Sequence, residues 1–294
     1  MHIWILAKRD KFDAYENVRF RDVAEKMEIM LTYIDPDECE IITTKEGRKS
    51  LYVGSEPTDE LPDCVIPRTG SGTTYFASAV IRHLERLGVF VMNKADAVEL
   101  AKDKLATTQT LASNNVPIPK TLLGKYPIDL SVIEREFDFP VIVKKISSSM
   151  GKGIVLCENP VQLEDVLGLA HPSSANFIIQ ECIAASLGKD IRVFVVGGRA
   201  IGAILRTAKQ GSFKANYSAG GSVEPLTLTP EIEWLAIESA RLLDLDIAGV
   251  DLLFDQTGFR ICEVNSSPFF EGFELATNIN VPEKIFRCIQ VRMA

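Results

Sequence analysis

Histidine is scarce in this 294-residue chain, with three in all, and the six cysteines (Cys39, Cys64, Cys157, Cys182, Cys262 and Cys288) include no CxxC pair. That scatter suits reduced thiols in a cytosol better than a disulfide framework or a zinc site. No apolar run approaches the roughly twenty residues of a membrane span. The first one, in MHIWILAKRD, is too short for a signal peptide. A cytoplasmic protein without a membrane partner is therefore expected. Positive charge is in deficit too: 32 Lys and Arg against 40 Asp and Glu leave a net charge of −8. This balance argues against a general nucleic-acid or membrane-surface binder. After the first apolar run, KRDKFDAYEN lacks the glycine fingerprint that a nicotinamide-dependent dehydrogenase requires.

What is present is enough apolar residue, 46%, to bury a sizeable core in two or three lobes. HIWILA reads as a buried strand, followed by a helix over about Asn17 to Met30 and a short strand near Cys39 to Thr43. DCVIPRTGSGTTYFASAVIRHLERLG reads as strand, glycine-rich turn and helix, so the first lobe is α/β with a mostly parallel sheet. RTGSG lacks both the GxGxxG spacing and the GK[ST] ending of a phosphate loop and reads as a strand-to-helix turn. One amphipathic helix is expected from Asp96 to Asn114, ended by the prolines of VPIPK, where a hinge between lobes falls. FPVIVKKISSSMGKGIVLCENP, VQLEDVLGLA and NFIIQECI then give two strands, a helix and a strand of antiparallel character. In the last third, DIRVFVVGGRAIGAILR forms a hairpin turning at Gly197-Gly198, a helix spans Pro230 to Leu243, and two apolar runs follow. The expected lobes are 1–97, 98–183 and 184–294.

Four clusters carry chemistry. Asp251 lies on one of the last two apolar runs, and Glu263 and Asn265 lie on the other, separated by the turn signal DQTG. A hairpin brings them together as a hard oxygen cage suited to Mg²⁺; the same residues also suit the solvated face of an edge hairpin. SSSMGKG follows Lys144 and supplies Ser149, Gly151, Lys152 and Gly153, either as a phosphate-covering flap or as a plain exposed loop. QECI, then GKD, offers a strand between lobes and an acid, Asp190, within reach of a ribose. RTAKQGSFKANYSAGG places Arg206 at the end of a strand, with Lys214, Ala215 and Asn216 in the loop beyond. Cations and amide donors beside a metal site are what a transferring phosphoryl group and a growing oxyanion require.

Taken in order, FPVIVKKISSSMGKGI, QECI, GKDIRVFVVGG, KANYSAGG and AGVDLL…CEVNSSPFFEG resemble the ATP-grasp superfamily, and within it the RimK-type amino-acid ligases, from VIPRTG to the C-terminus. The resemblance implies an ATP-grasp fold of α+β lobes behind an N-terminal α/β lobe, and an ATP-dependent carboxylate–amine ligase working through an acylphosphate. It implies that Lys104 and Lys144 hold the nucleotide phosphates under the flap, that Glu181 and Cys182 meet adenine, and that Asp190 meets the ribose. Lys214, Ala215 and Asn216 would line the triphosphate, and Asp251, Glu263 and Asn265 would bind two Mg²⁺ ions, with Mn²⁺ as a substitute. Arg206 would neutralise the phosphate and the tetrahedral intermediate, and Arg192 would bind the acceptor carboxylate. The expected substrates are ATP, an amino acid with glutamate favoured, and a carboxylate acceptor on a peptide, a protein C-terminus or a small molecule. Homo-oligomers are compatible with this. The alternative is a non-catalytic ATP-binding module of the same fold. An aromatic is common in the family where Cys182 stands, so the adenine contacts there are expected to be mainly backbone.

Overall fold

The structure is a computed structural model and describes residues 1–45, 50–58, 60–70, 74–125, 127–145, 153–169, 176–210, 212–213 and 220–294. The chain opens with β1 (His2–Leu6), α1 (Tyr15–Lys26), β2 (Met30–Ile34), β3 (Cys39–Ile41), β4 (Leu51–Val53), β5 (Glu56–Pro57), β6 (Cys64–Pro67), α2 (Tyr75–Arg86), β7 (Phe90–Val91) and α3 (Ala95–Lys102). Strands β2-β1-β6-β7 form the parallel sheet expected of this lobe, and β3–β5 form a small antiparallel one. Helix α1 ends earlier than its apolar spacing predicts. Glu28 turns left-handed (φ 55°) and Ile29 N–H bonds back to Ala24 O, a C-terminal closure that stops a helix. The residues beyond it alternate instead: Leu31 and Tyr33 pack into one core cluster and Ile34 into another, which makes MLTYI a strand.

Next come α4 (Lys104–Ser113), β8 (Thr121–Lys125), α5 (Leu130–Glu136), β9 (Val141–Lys145), β10 (Ile154–Cys157), α6 (Pro160–Leu169) and β11 (Asn176–Glu181). The sheet order is β10-β9-β11-β8, antiparallel throughout. The single helix expected over residues 96–114 is two, α3 and α4. Asp103 is extended between them and its carboxylate caps α4 by accepting from Leu105 and Ala106 N–H, the preferred use of aspartate at a helix start.

The last lobe comprises β12 (Lys189–Val196), β13 (Arg199–Thr207), β14 (Ser222–Leu226), α7 (Pro230–Leu242), β15 (Ile247–Asp255), β16 (Gly258–Asn265), α8 (Glu271–Thr277) and α9 (Val281–Met293). Its antiparallel sheet has the order β14-β13-β12-β15-β16. The β12–β13 turn falls at Gly197-Gly198, both left-handed (φ 58° and 77°), the geometry that two-residue hairpins favour. Strand β14 was not expected from its sequence. Side chains alternate across a strand, so Ile191, Val193, Val195, Val250 and Leu252 face one core cluster while Phe194, Val196, Ile204 and Ile247 face another. The second cluster also contains Ile3, Ile5 and Phe20 of the first lobe and Ile285, Phe286 and Ile289 of α9, so the first lobe is packed directly onto the C-terminal sheet.

Candidate active site

The face of the C-terminal sheet that carries Phe194, Val196, Ile204 and Ile247 changes character along its length. Continuing the same alternation, it bears Asp190 and Arg192 on β12, Arg206 on β13, Asp251 on β15, and Glu263 and Asn265 on β16. Arg192 is the register partner of Asp251, Asp190 of Arg206, Asp251 of Glu263, and Gly249 of Asn265. The two apolar runs carry acids because one end of this face packs into the core and the other is a charged floor whose carboxylates and guanidinium groups pair with one another. A bulge follows Asp251, at Cys262 on β16, and allows both Ile261 and Val264 to reach the opposite core.

The floor is a chain of alternating charges. Arg192 grips both oxygens of Asp251, Nη2 at 2.8 Å. Arg206 grips both oxygens of Asp190 at 2.6 and 2.7 Å and reaches Asp251 Oδ2 at 2.9 Å. Asp251 is 5% exposed. Burial alone would raise its pKa, but Arg192 and Arg206 hold it below the usual carboxylate range. For Arg206, burial opposes the charge and the carboxylates of Asp251 and Asp190 outweigh it, so its pKa is raised. Asp190 goes the other way: burial, against the pull of Arg206, pushes it up to about 6.

Lysines face this floor from the other elements. Lys104, the first residue of α4, has Nζ 3.5 Å from Glu263 Oε1. Lys144 on β9 donates to Gln180 Oε1 at 2.6 Å and lies 4.0 Å from Cys262 Sγ. Burial raises the pKa of the Cys262 thiol, against the pull of Lys144. Gln180 also donates to Thr121 Oγ1, so Lys144 is aimed by an amide that sequence reasoning missed. Gly153, the last residue of SSSMGKG, is left-handed (φ 71°). Ser149, Gly151, Lys152, Lys214, Ala215 and Asn216 lie outside the described residues.

At the strand between lobes, Glu181 N–H donates to Lys120 O, and its carboxylate accepts from Lys120 N–H at 3.1 Å and Arg260 Nη1 at 2.7 Å. Its side chain therefore braces β11 against β16, which leaves the neighbouring half-buried Cys182 as the hinge residue without that task. Asp190 is committed to Arg206, a pairing the sequence reading did not anticipate. Among the described residues no group of three or more His, Cys, Asp and Glu is placed to hold a metal ion, so the candidate cage is two carboxylates and an amide. Asn265 donates from Nδ2 to Gly249 O at 3.4 Å, and its Oδ1 is the atom it offers a cation. Two carboxylates and an amide oxygen are the donor types Mg²⁺ takes, with phosphate and water completing its shell; here Asp251 would share its oxygens with Arg192 and Arg206, and Glu263 its own with Lys104.

A parallel-sheet lobe, a four-stranded antiparallel lobe and a five-stranded sheet with a charged floor define the ATP-grasp class of enzymes. The chain belongs to the RimK-like ATP-grasp family, an ATP-dependent carbon–nitrogen ligase family. Residues 101–289 match the RimK-like ATP-grasp domain and residues 1–98 the RimK PreATP-grasp domain. A protein of Legionella pneumophila (strain Corby) named probable alpha-L-glutamate ligase is 34% identical over 291 residues, covering 99% of this chain and 95% of that one. One of Shewanella frigidimarina, probable alpha-L-glutamate ligase 1, is 35% identical over 293 residues with the same coverage. The ATP-grasp ligase PsnB, solved with a phosphomimetic variant of its minimal precursor, Mg and ADP, shares the fold at a TM-score of 0.77. It is 19% identical, with 99% of this chain and 98% of that one covered.

Proposed function

We propose that this ligase joins glutamate to a carboxylate acceptor on a peptide, a protein C-terminus or a small molecule. The observation that carries the reading is the single sheet face bearing Asp190, Arg192, Arg206, Asp251, Glu263 and Asn265, opposed by Lys104 and Lys144. Relatives named alpha-L-glutamate ligase support glutamate as the incoming amino acid. In this reading Lys104 and Lys144 bind the ATP phosphates, and Cys182 meets adenine through its backbone. Asp251, Glu263 and Asn265 are the ligands of two Mg²⁺ ions, with Mn²⁺ an effective substitute. The metal supplies charge neutralisation of the phosphates and a template for in-line transfer. The γ-phosphoryl passes to the acceptor carboxylate, and the amine attacks the resulting acylphosphate, expelling phosphate. Arg206 supplies cationic stabilisation as the oxyanion grows, and Arg192 orients the acceptor carboxylate. No covalent nucleophile of the protein is needed, since positioning and electrostatics provide the catalysis.

Asp190 acts through Arg206 in this scheme, by aiming the guanidinium across the floor. The lobes 1–97, 98–183 and 184–294 correspond to acceptor side, nucleotide lid and chemical floor, and the site of action is cytoplasmic. The test is mass spectrometry of the products formed from ATP, Mg²⁺, mixed amino acids and candidate acceptors. Acceptors extended by glutamate, with stoichiometric ADP, are expected. ADP binding with no amide product from any mixture would favour the non-catalytic module.

A further inference from the structure

One buried side chain of the first lobe ties together the two ends of the hairpin that bears the candidate metal ligands. Asn93, just past β7, is 1% exposed. Its Oδ1 accepts from Asp246 N–H at 2.7 Å and Ile247 N–H at 2.8 Å, and its Nδ2 donates to Ile247 O at 2.7 Å and Ser266 O at 2.9 Å. Two donated and two accepted bonds are the full capacity of a carboxamide. Ile247 begins β15, four residues before Asp251, and Ser266 directly follows Asn265.

The hairpin needs such a tie at this end. Its turn lies at the far end of β15 and β16, and the bulge after Asp251 interrupts the ladder between that turn and the ligands. Between the bulge and the open end remain three residue pairs, Asp251 with Glu263, Val250 with Val264, and Gly249 with Asn265. Those pairs contain all three candidate ligands. Two other groups of the first lobe hold the segment that leaves the hairpin. Arg68 Nη1 donates to Pro268 O at 3.1 Å and Glu16 Oε1 accepts from Phe270 N–H at 3.0 Å. Neither reaches β15, whereas Asn93 holds the start of β15 and the residue just after β16 at once.

We propose that Asn93 is a positioning residue for the metal cage: it fixes the spacing of β15 and β16 at their open ends, so that the first lobe sets the affinity of the third lobe for Mg²⁺. This rests on the metal assignment given above. Asn93→Asp keeps an oxygen for the Asp246 and Ile247 amides but turns a second, repelling oxygen toward Ile247 O and Ser266 O, so the Ser266 end loses its bond to Asn93 while the β15 end keeps two. The measurement is the Mg²⁺ concentration giving half-maximal ADP binding by calorimetry, beside ADP affinity in EDTA. A rise of at least tenfold in the Mg²⁺ requirement, with the EDTA affinity unchanged, is expected; a value within twofold of wild type for the folded variant overturns the proposal. Should the variant not fold, hydrogen exchange on the wild type decides. Coupling between two sites is reciprocal, so Mg²⁺ with ADP should slow exchange of the Asp246 and Ile247 amides about tenfold, and ADP in EDTA should not. Unchanged amides would overturn the proposal as well. Glu263→Gln run in parallel separates the two readings, since an unchanged Mg²⁺ requirement there refutes the metal assignment itself and the proposal with it.

Discussion

The two sheets that carry the candidate site are built differently. The C-terminal sheet is covered on both faces, by the cluster around Val193 and Val250 on one side and by the cluster around Phe194 and Phe270 on the other. The central sheet is backed on one face, by Val141, Val143, Phe177 and Ile179 with Leu163 and Leu167 of α6. Its other face carries Ile178 and Gln180, both buried, and Lys144, whose Nζ lies 4.0 Å from Cys262 Sγ of the C-terminal sheet. A sheet packed on both sides holds charged groups to fixed positions, and a sheet packed on one can shift as a unit over a ligand. The floor therefore suits chemistry, where small displacements are costly, and the lid suits nucleotide capture.

The sharpest way to break this comparison is to change two floor carboxylates that differ in burial. Glu263→Gln should lower product formation about a thousandfold, the several kcal/mol that a metal site contributes, while thermal unfolding stays near wild type because its side chain is 42% exposed. Asp251→Asn should lose as much activity and also ~3 kcal/mol of stability, because Arg192 and Arg206 would be left buried without their shared partner. Equal stability of the two variants, measured by urea unfolding, would show that the floor is not held by its charge chain.

Arg206→Met comes next. A cation that matters most as charge grows in the transition state should cost about a hundredfold in turnover and change ATP affinity far less. Large loss of ATP affinity with turnover preserved would make Arg206 a ground-state phosphate anchor. On the lid, Gly153→Val should raise the ATP concentration for half-saturation about tenfold, since a β-branched residue resists the left-handed backbone there. Turnover at saturating ATP should hold. A fall in turnover with ATP affinity intact would place the lid in the chemistry and dissolve the distinction.

How much of this was legible in the sequence follows from the range of the signals. Period-two alternation is local, so the strands bearing Asp251, Glu263 and Arg206 could be read, and DQTG marked the hairpin that puts the two acids opposite each other. Pairing between distant segments is not local. Nothing in GKDIR tells that Arg192 lies beside Asp251, 59 residues on, or that Asp190 pairs with Arg206, 16 residues on. The same holds for Asn93, whose partners lie 153 to 173 residues away; its only local mark is an amide at the end of an apolar run. The division of α3 from α4 was legible in principle, since Asp103 is a good N-cap, but the apolar spacing continues through it and hides the break. Strand β14 has the mixed burial of an edge, which leaves little alternation to detect.

The smallest effect concerns pH and tests whether the floor is strained without its ligands. Asp190 titrates near 6 in the folded protein because burial outweighs the pull of Arg206, whereas an aspartate in the unfolded chain titrates near ~3.9. Between those values the native state holds more protons than the unfolded one, so stability must fall as pH rises through this window. The sign is opposite to that of Asp251, whose lowered pKa favours the native state as pH rises, but below the ordinary carboxylate value. The two windows are therefore separable. In metal-free buffer, wild type should lose on the order of 1 kcal/mol relative to Asp190→Asn between pH 4 and 6.5, the shift less what partial exposure of the side chain screens. Asp190→Asn, neutral throughout, should lack that slope, and the carboxylate pairing with Arg206 that it loses is the one present above about pH 6. Parallel stability curves for the two proteins would mean that Arg206 already compensates Asp190 fully, and that the unliganded floor is as relaxed as the lid.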